Sequence, residues 1–132
     1  MINNLMMIDD SKVEQKIYQK IVERSQIVGS LEQFYEPESA LEFLRSKNGI
    51  TTDAILLDIN MPRMNGFEFL EAASQEFGDD FARAAVIMLT TSISEADMER
   101  AKSFPVVRGY INKPLKSDHL TMIDNMLNEP ES

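Results

Sequence analysis

The chain reads as one α/β domain, a parallel sheet of five strands covered by helices on both faces. Three observations predict it. Short apolar runs alternate with longer amphipathic stretches about every 20 to 30 residues, the rhythm of successive βαβ units. Two of those runs, Ala54 to Leu57 and Ala85 to Leu89, are apolar without interruption, as strands buried beneath helices on both sides are. The length of 132 residues, with 43% hydrophobic and 27% charged residues, fits a single folded domain and not a disordered chain.

Taken in order, the first strand is expected at Leu5 to Ile8 and runs into Asp9-Asp10. Ser11 and Glu14 stand at capping-box spacing, in which a serine oxygen and a glutamate satisfy each other's exposed backbone donors. The helix they open carries Val13, Ile17 and Ile21 at every fourth position, which predicts that this stripe faces the core. A weakly marked second strand falls near Ser30 to Tyr35, and Pro37, tolerated in a first turn, opens a second helix that buries Ala40, Leu41 and Leu44. The third strand ends at Asp58, and a third helix follows Asn65-Gly66 to bury Phe67, Leu70 and Ala73. After the fourth strand, which ends at Thr90, Ser94 with Asp97 three residues on starts a fourth helix, and Pro105 ends any helix before the next strand. That fifth strand, Gly109 to Asn112, runs into Lys113-Pro114, and a fifth helix from Ser117 places Leu120, Ile123 and Leu127 on one face. Residues 129 to 132 read as a frayed tail.

Composition removes several functions. Thirteen Lys and Arg against twenty-two Asp and Glu give a net charge of −9, a surface that repels nucleic-acid phosphates and anionic lipid, so neither nucleic acid nor membrane is an expected partner. The chain has no cysteine, hence no thiolate metal site or cysteine nucleophile, and its one histidine, His119, has no evident ligand set and is expected at the surface. The first residues lack a basic region ahead of an apolar one, and no apolar run approaches the roughly eighteen residues a membrane helix needs; a cytoplasmic location is expected.

The ends of the strands carry the chemistry. In a parallel α/β sheet the loops after the strands gather at one edge, where ligands bind. Here that edge receives Asp9, Asp10 and Asp58, the hydroxyl of Thr90 and the ammonium of Lys113. Three carboxylates held together repel one another unless a hard divalent cation sits among them, and Mg²⁺, which prefers oxygen ligands and retains waters, is the natural one. Lys113 and Thr90 then supply a positive charge and a donor for an anion, and a phosphoryl group at Asp58 would satisfy the set.

Asp9-Asp10, Leu57-Asp58-Ile59-Asn60-Met61-Pro62-Arg63-Met64-Asn65-Gly66, Thr90-Thr91-Ser92 and Tyr110-Ile111-Asn112-Lys113-Pro114 occur in this order, and together they resemble the receiver domains of response regulators, in particular stand-alone CheY-like receivers. The resemblance covers essentially the whole chain. It implies a doubly wound, flavodoxin-like (βα)5 fold with strand order 2-1-3-4-5, a receiver over residues 1–128 with a short tail at 129–132, and no output domain. It also implies that Asp58 takes a phosphoryl group from a phosphohistidine on a sensor histidine kinase or a histidine phosphotransfer protein, with Asp9, Asp10, Asp58 and the carbonyl of Asn60 around Mg²⁺. Lys113 would pair with Asp58 before transfer and with the phosphoryl group after it, across a cis Lys113-Pro114 peptide. Thr90 and Tyr110 would be the switch residues, and the face of the fourth helix, fifth strand and fifth helix the output surface toward an unidentified protein target, with a homodimer possible. Ile93, Met98, Ala101, Val106, Tyr110, Leu115, Met122 and Met126 fall in that region, some of them as core.

The expectation is therefore a signalling module with self-phosphorylation chemistry and not a true enzyme. A haloacid-dehalogenase-type phosphatase would need a second carboxylate two residues after the nucleophile, where Asn60 stands. A relay that passes its phosphoryl group to another histidine, and an interaction module independent of phosphorylation, stay open at this level. Thr91 and Ser92 depart from the usual side chains after the switch threonine, and residues 103 to 108 replace the usual Gly-Ala connection before the fifth strand, which bears on phosphoryl lifetime and on partner choice.

Overall fold

Five parallel strands turn the apolar runs into one sheet among the residues described by the computed structural model, 1–46, 51–91 and 94–128. They are β1 (Ile2–Ile8), β2 (Val28–Phe34), β3 (Ala54–Asp58), β4 (Ala85–Thr90) and β5 (Val107–Asn112), in the order β2-β1-β3-β4-β5. The helices are α1 (Lys12–Ser25), α2 (Pro37–Ser46), α3 (Gly66–Phe77), α4 (Asp79–Ala82), α5 (Glu95–Lys102) and α6 (Ser117–Asn128). The five expected strands and five expected helices are present, and the fold is the flavodoxin-like one. The short α4, which packs Phe81 edge-on against Phe69, was not expected; four residues are too few to show a helical period.

Alternation of side chains along the strands sorts the core into two layers. Met6, Ile8, Ile55, Leu57, Val86 and Met88 meet Ala40, Leu41 and Leu44 of α2, Phe67, Leu70 and Ala73 of α3 and Ala101 of α5 on one face. Leu5, Met7, Leu56, Ile87 and Leu89 meet Tyr18 and Val22 of α1 and Leu120 and Ile123 of α6 on the other. All five residues of β3 and all six of β4 are buried, as the two unbroken apolar runs predict. β2, an edge strand, is only partly buried, which is why its apolar signal is faint. The β4–β5 ladder shifts register, from Val86 opposite Val107 to Ile87 opposite Gly109.

The face of α1 corrects the sequence reading. Val13 and Ile17 are 71% and 51% exposed, and the residues turned inward are Gln15, Tyr18 and Val22. The reason is a buried amide. Gln15 Nε2 donates to the carbonyls of Asp9 at 3.2 Å and Phe34 at 3.0 Å, while its Oε1 accepts from Gln33 at 2.8 Å. These bonds fix the rotation of the helix and tie the β1–α1 loop to β2, and a polar residue on the buried face is invisible to a count of apolar spacing.

The capping signals fare unevenly. Asn65 and Glu68 form a complete capping box at α3, and Ser94 accepts from the Asp97 N–H at α5. Ser11 likewise accepts from the Glu14 N–H at 3.2 Å, but the expected return bond is absent: the Ser11 N–H donates to Asp9 Oδ1 at 2.9 Å instead. α5 ends at Lys102, ahead of Pro105 as expected. His119 is half-buried and not simply a surface residue, because its Nδ1 accepts the Lys116 N–H at 2.9 Å and closes the first turn of α6. Ser92, Ile93 and the tail at 129–132 lie outside the described residues.

Candidate functional site

The carboxyl ends of β1, β3, β4 and β5 bring together the residues picked from the sequence. Asp58 is the last residue of β3, paired with Leu89 of β4, and its side chain is nearly buried. Asp9 follows β1 and is 2% exposed, while Asp10 beside it is open to solvent. One oxygen from each of Asp9, Asp10 and Asp58 lies within 4.8 Å of the others. Asp9 Oδ2 is buried and accepts no aligned hydrogen bond; its charge is met by Lys113 Nζ, 3.0 Å away. A buried carboxylate oxygen left in this condition, with two more carboxylates beside it, fits a hard cation that takes oxygen ligands. Asn60 is exposed at the rim, and its N–H donates weakly to Asp58 Oδ1 at 3.4 Å.

Lys113 is aimed by its backbone, whose N–H donates to the carbonyl of Thr90 at 2.7 Å, and the Lys113-Pro114 peptide is cis, as the resemblance implies. Its side chain pairs with Asp58 as expected, but shares its charge with two further carboxylates. Nζ lies 2.8 Å from Glu14 Oε2, 3.0 Å from Asp9 Oδ2 and 3.7 Å from Asp58 Oδ2, so Asp58 is the most distant of its three carboxylate neighbours. Glu14 is the member of this group that sequence reasoning missed. Its spacing from Ser11 marks it as a cap residue, whereas its position in the first turn of α1 brings its carboxylate to Lys113. Burial by itself would lower the Lys113 pKa, but Glu14, then Asp9 and Asp58, more than reverse this and keep it charged far above the usual range.

Burial, then the charge of Asp9, pushes the Asp58 pKa up to about 6, against the opposing pull of Lys113 and the Asn60 N–H. Asp9 is raised as well, first by burial, with the Ser11 N–H and Lys113 working the other way. Below the ordinary carboxylate range both groups are protonated in either state. Between that range and pH 6 the native state holds protons that the unfolded state has already released, so stability falls as pH rises. Thermal melts in a chelating buffer are expected to show a higher Tm at pH 5 than at pH 7, the difference shrinking in Asp58→Asn. A Tm that rises from pH 5 to pH 7 would contradict the raised pKa values.

Thr90 is buried at the end of β4, and its neighbour Thr91 is exposed. Tyr110 of β5 is half-buried and packs against the first core layer. Of the expected output-face residues, Ala101, Val106 and Leu115 are core, Met98, Tyr110 and Met126 are half-buried, and Met122 is 44% exposed. Among the described residues, no helix is long and apolar enough to cross a membrane.

Gly66, the first residue of α3, sits against the carboxyl end of β3. A Cβ there would lie 2.6 Å from the carbonyl oxygen of Asp58 and 3.1 Å from Ile59 Cα, while the Gly66 N–H donates to the Ile59 carbonyl at 2.9 Å. The glycine is thus required by close backbone approach, and it seats the helix directly beneath the site.

Known proteins resemble this chain in sequence and fold. The chain is 28% identical over 119 residues to the probable methanogenesis regulatory protein FilR2 of Methanothrix harundinacea, covering 88% of this chain and 75% of that protein. It is 31% identical over 98 residues to the response regulator Rcp1 of Synechocystis, covering 71% of this chain and 65% of that one. A two-component response regulator from Cytophaga hutchinsonii superposes with a TM-score of 0.88 at 25% identity, over 96% of each chain. The model of the response regulator receiver domain matches residues 5–123, which takes in every strand end described above, and the chain belongs to that family.

Proposed function

We propose that this receiver accepts a phosphoryl group on Asp58 from a phosphohistidine of a sensor histidine kinase or histidine phosphotransfer protein, in the cytoplasm, and signals by docking to another protein. The observation that carries the reading is the convergence of the Asp9, Asp10 and Asp58 oxygens within 4.8 Å, with the Lys113 ammonium 3.7 Å from Asp58. In the transfer, an Asp58 oxygen bonds to phosphorus as the P–N bond breaks; the imidazole nitrogen keeps that electron pair and takes up a proton. Asp9, Asp10, Asp58 and the carbonyl of Asn60 would hold Mg²⁺, which when bound neutralises charge on the transferring oxygens.

The protein's own residues do the rest. With a pKa of about 6, Asp58 is mostly ionised at neutral pH and is available as a nucleophile. Lys113 offers its ammonium and Thr90 its hydroxyl to the phosphoryl oxygens. Reorientation of Thr90 and Tyr110 toward the site shifts the population of the α5–β5–α6 face, whose half-buried methionines pack adaptably. Nothing in this chemistry requires turnover of a small substrate, and the module acts as a switch and not as an enzyme.

Intact-mass analysis after incubation with a small phosphodonor tests the reading. One alkali-labile phosphoryl adduct is expected with Mg²⁺, none with chelator, and none in Asp58→Asn. Turnover of small phosphate esters lost in Asp58→Asn would instead make the protein a phosphatase.

A further inference from the structure

We propose that Glu14 is a positioning residue for Lys113: it draws the ammonium to the α1 side of the pocket and competes for it with any anion carried on Asp58. The inference deepens the receiver reading and rests on it. Its basis is the order of distances at Lys113 Nζ, 2.8 Å to Glu14 against 3.7 Å to Asp58. Glu14 is free to take this contact because the capping bond expected of it is made by another group, Asp9 Oδ1 accepting the Ser11 N–H. Both backbones are anchored, that of Glu14 by its N–H to Ser11 Oγ and that of Lys113 by its N–H to the Thr90 carbonyl. The part left to move is the lysine's flexible four-carbon arm.

The ammonium thus has two docks, the one it occupies between Glu14 and Asp9 and one over Asp58. A ligand shifts such an equilibrium only by its differential interaction with the two states. An anion on Asp58 must draw Nζ away from Glu14 and also meets the repulsion of the Glu14 charge; both effects oppose it. A cation among Asp9, Asp10 and Asp58 meets the opposite situation. While Glu14 holds the ammonium, the oxygens of Asp58 are less compensated and more available to a metal. One substitution should therefore move two affinities in opposite directions.

The test measures Mg²⁺ binding, and beryllofluoride binding at saturating Mg²⁺, on the 132-residue chain and on Glu14→Gln, which keeps the shape and hydrogen-bonding capacity but removes the charge. Beryllofluoride is expected to bind about five- to tenfold tighter and Mg²⁺ a few-fold weaker, within the usual range of coupling between sites. Glu23→Gln, the same charge change at the far end of α1, should move neither. In a Lys113→Met background the effect of Glu14→Gln on both ligands should fall to a small remainder, the direct through-space effect of the lost charge, a result a purely helix-capping role would not produce. Shifts of the same sign for both ligands, an unchanged affinity in Glu14→Gln, or an effect undiminished in Lys113→Met would overturn the inference. If the unsubstituted protein binds Mg²⁺ and beryllofluoride but Glu14→Gln matches it, the positioning role alone falls; if the unsubstituted protein binds neither, the receiver reading falls and this one with it.

Discussion

Lys113→Ala is expected to destabilise the metal-free protein at neutral pH by on the order of 3 kcal/mol, because it removes the positive partner of three carboxylates and leaves buried charge uncompensated. The side chains of Asp9 and Asp58 are 3% and 7% exposed, so water replaces the ammonium only in part at either. Glu14, at 34%, stays partly hydrated and adds less, which holds the expected loss at the low end for a broken buried pair. The pH dependence gives the effect a signature. Without Lys113 the pKa values of Asp9 and Asp58 rise further, and protonation below about pH 6 relieves the repulsion, so the gap between variant and parent should narrow as the solution is acidified. Urea titrations at pH 5 and pH 7 check this, and equal stabilities of the two proteins at pH 7 would show that the carboxylates are not relying on Lys113.

Gly66→Ala should be the most damaging single-methyl change near the site. Its Cβ would meet the Asp58 carbonyl at 2.6 Å, well inside van der Waals contact, and both close neighbours are backbone atoms that no rotamer change can clear. Overpacking of this kind costs about 1–3 kcal/mol, against which the better helix propensity of alanine returns up to about 1 kcal/mol. The strain falls on Asp58, the proposed phosphoryl acceptor, so a lower denaturation midpoint should be accompanied by slower phosphoryl uptake in the mass assay. A variant as stable and as readily phosphorylated as the parent would mean that α3 can withdraw from β3 without consequence.

Much of this molecule is legible in its sequence, and the reasons are local. Ala54–Asp58 and Ala85–Thr90 announce buried strands because helices cover both their faces; Asp58 and Thr90 are legible because each ends an apolar run, and Lys113 because it follows the fifth strand directly before Pro114. The readings that fail involve a polar residue in an apolar role or a side chain with two possible partners. Gln15, not Val13 or Ile17, sets the rotation of α1, through bonds to Asp9, Phe34 and Gln33 that are remote in sequence from any periodic pattern. Glu14 has the spacing of a cap, and only the fold brings Lys113, 99 positions away, within its reach. His119 was similarly unreadable, since its partner is a backbone N–H.

The position of Asp58 in the sheet has a dynamic consequence. β3 is the middle strand, flanked by β1 on one side and β4 on the other, so its amides open to solvent only when the sheet itself comes apart. The side chain at its end is therefore mounted on the strand expected to exchange most slowly, while Thr91, Asp10 and Asn60 around it belong to solvent-facing loops. A charge added at Asp58 acts against a fixed support, and its effect has nowhere to go but into those loops. In deuterium exchange, the strand should stay silent while the rim around it changes protection.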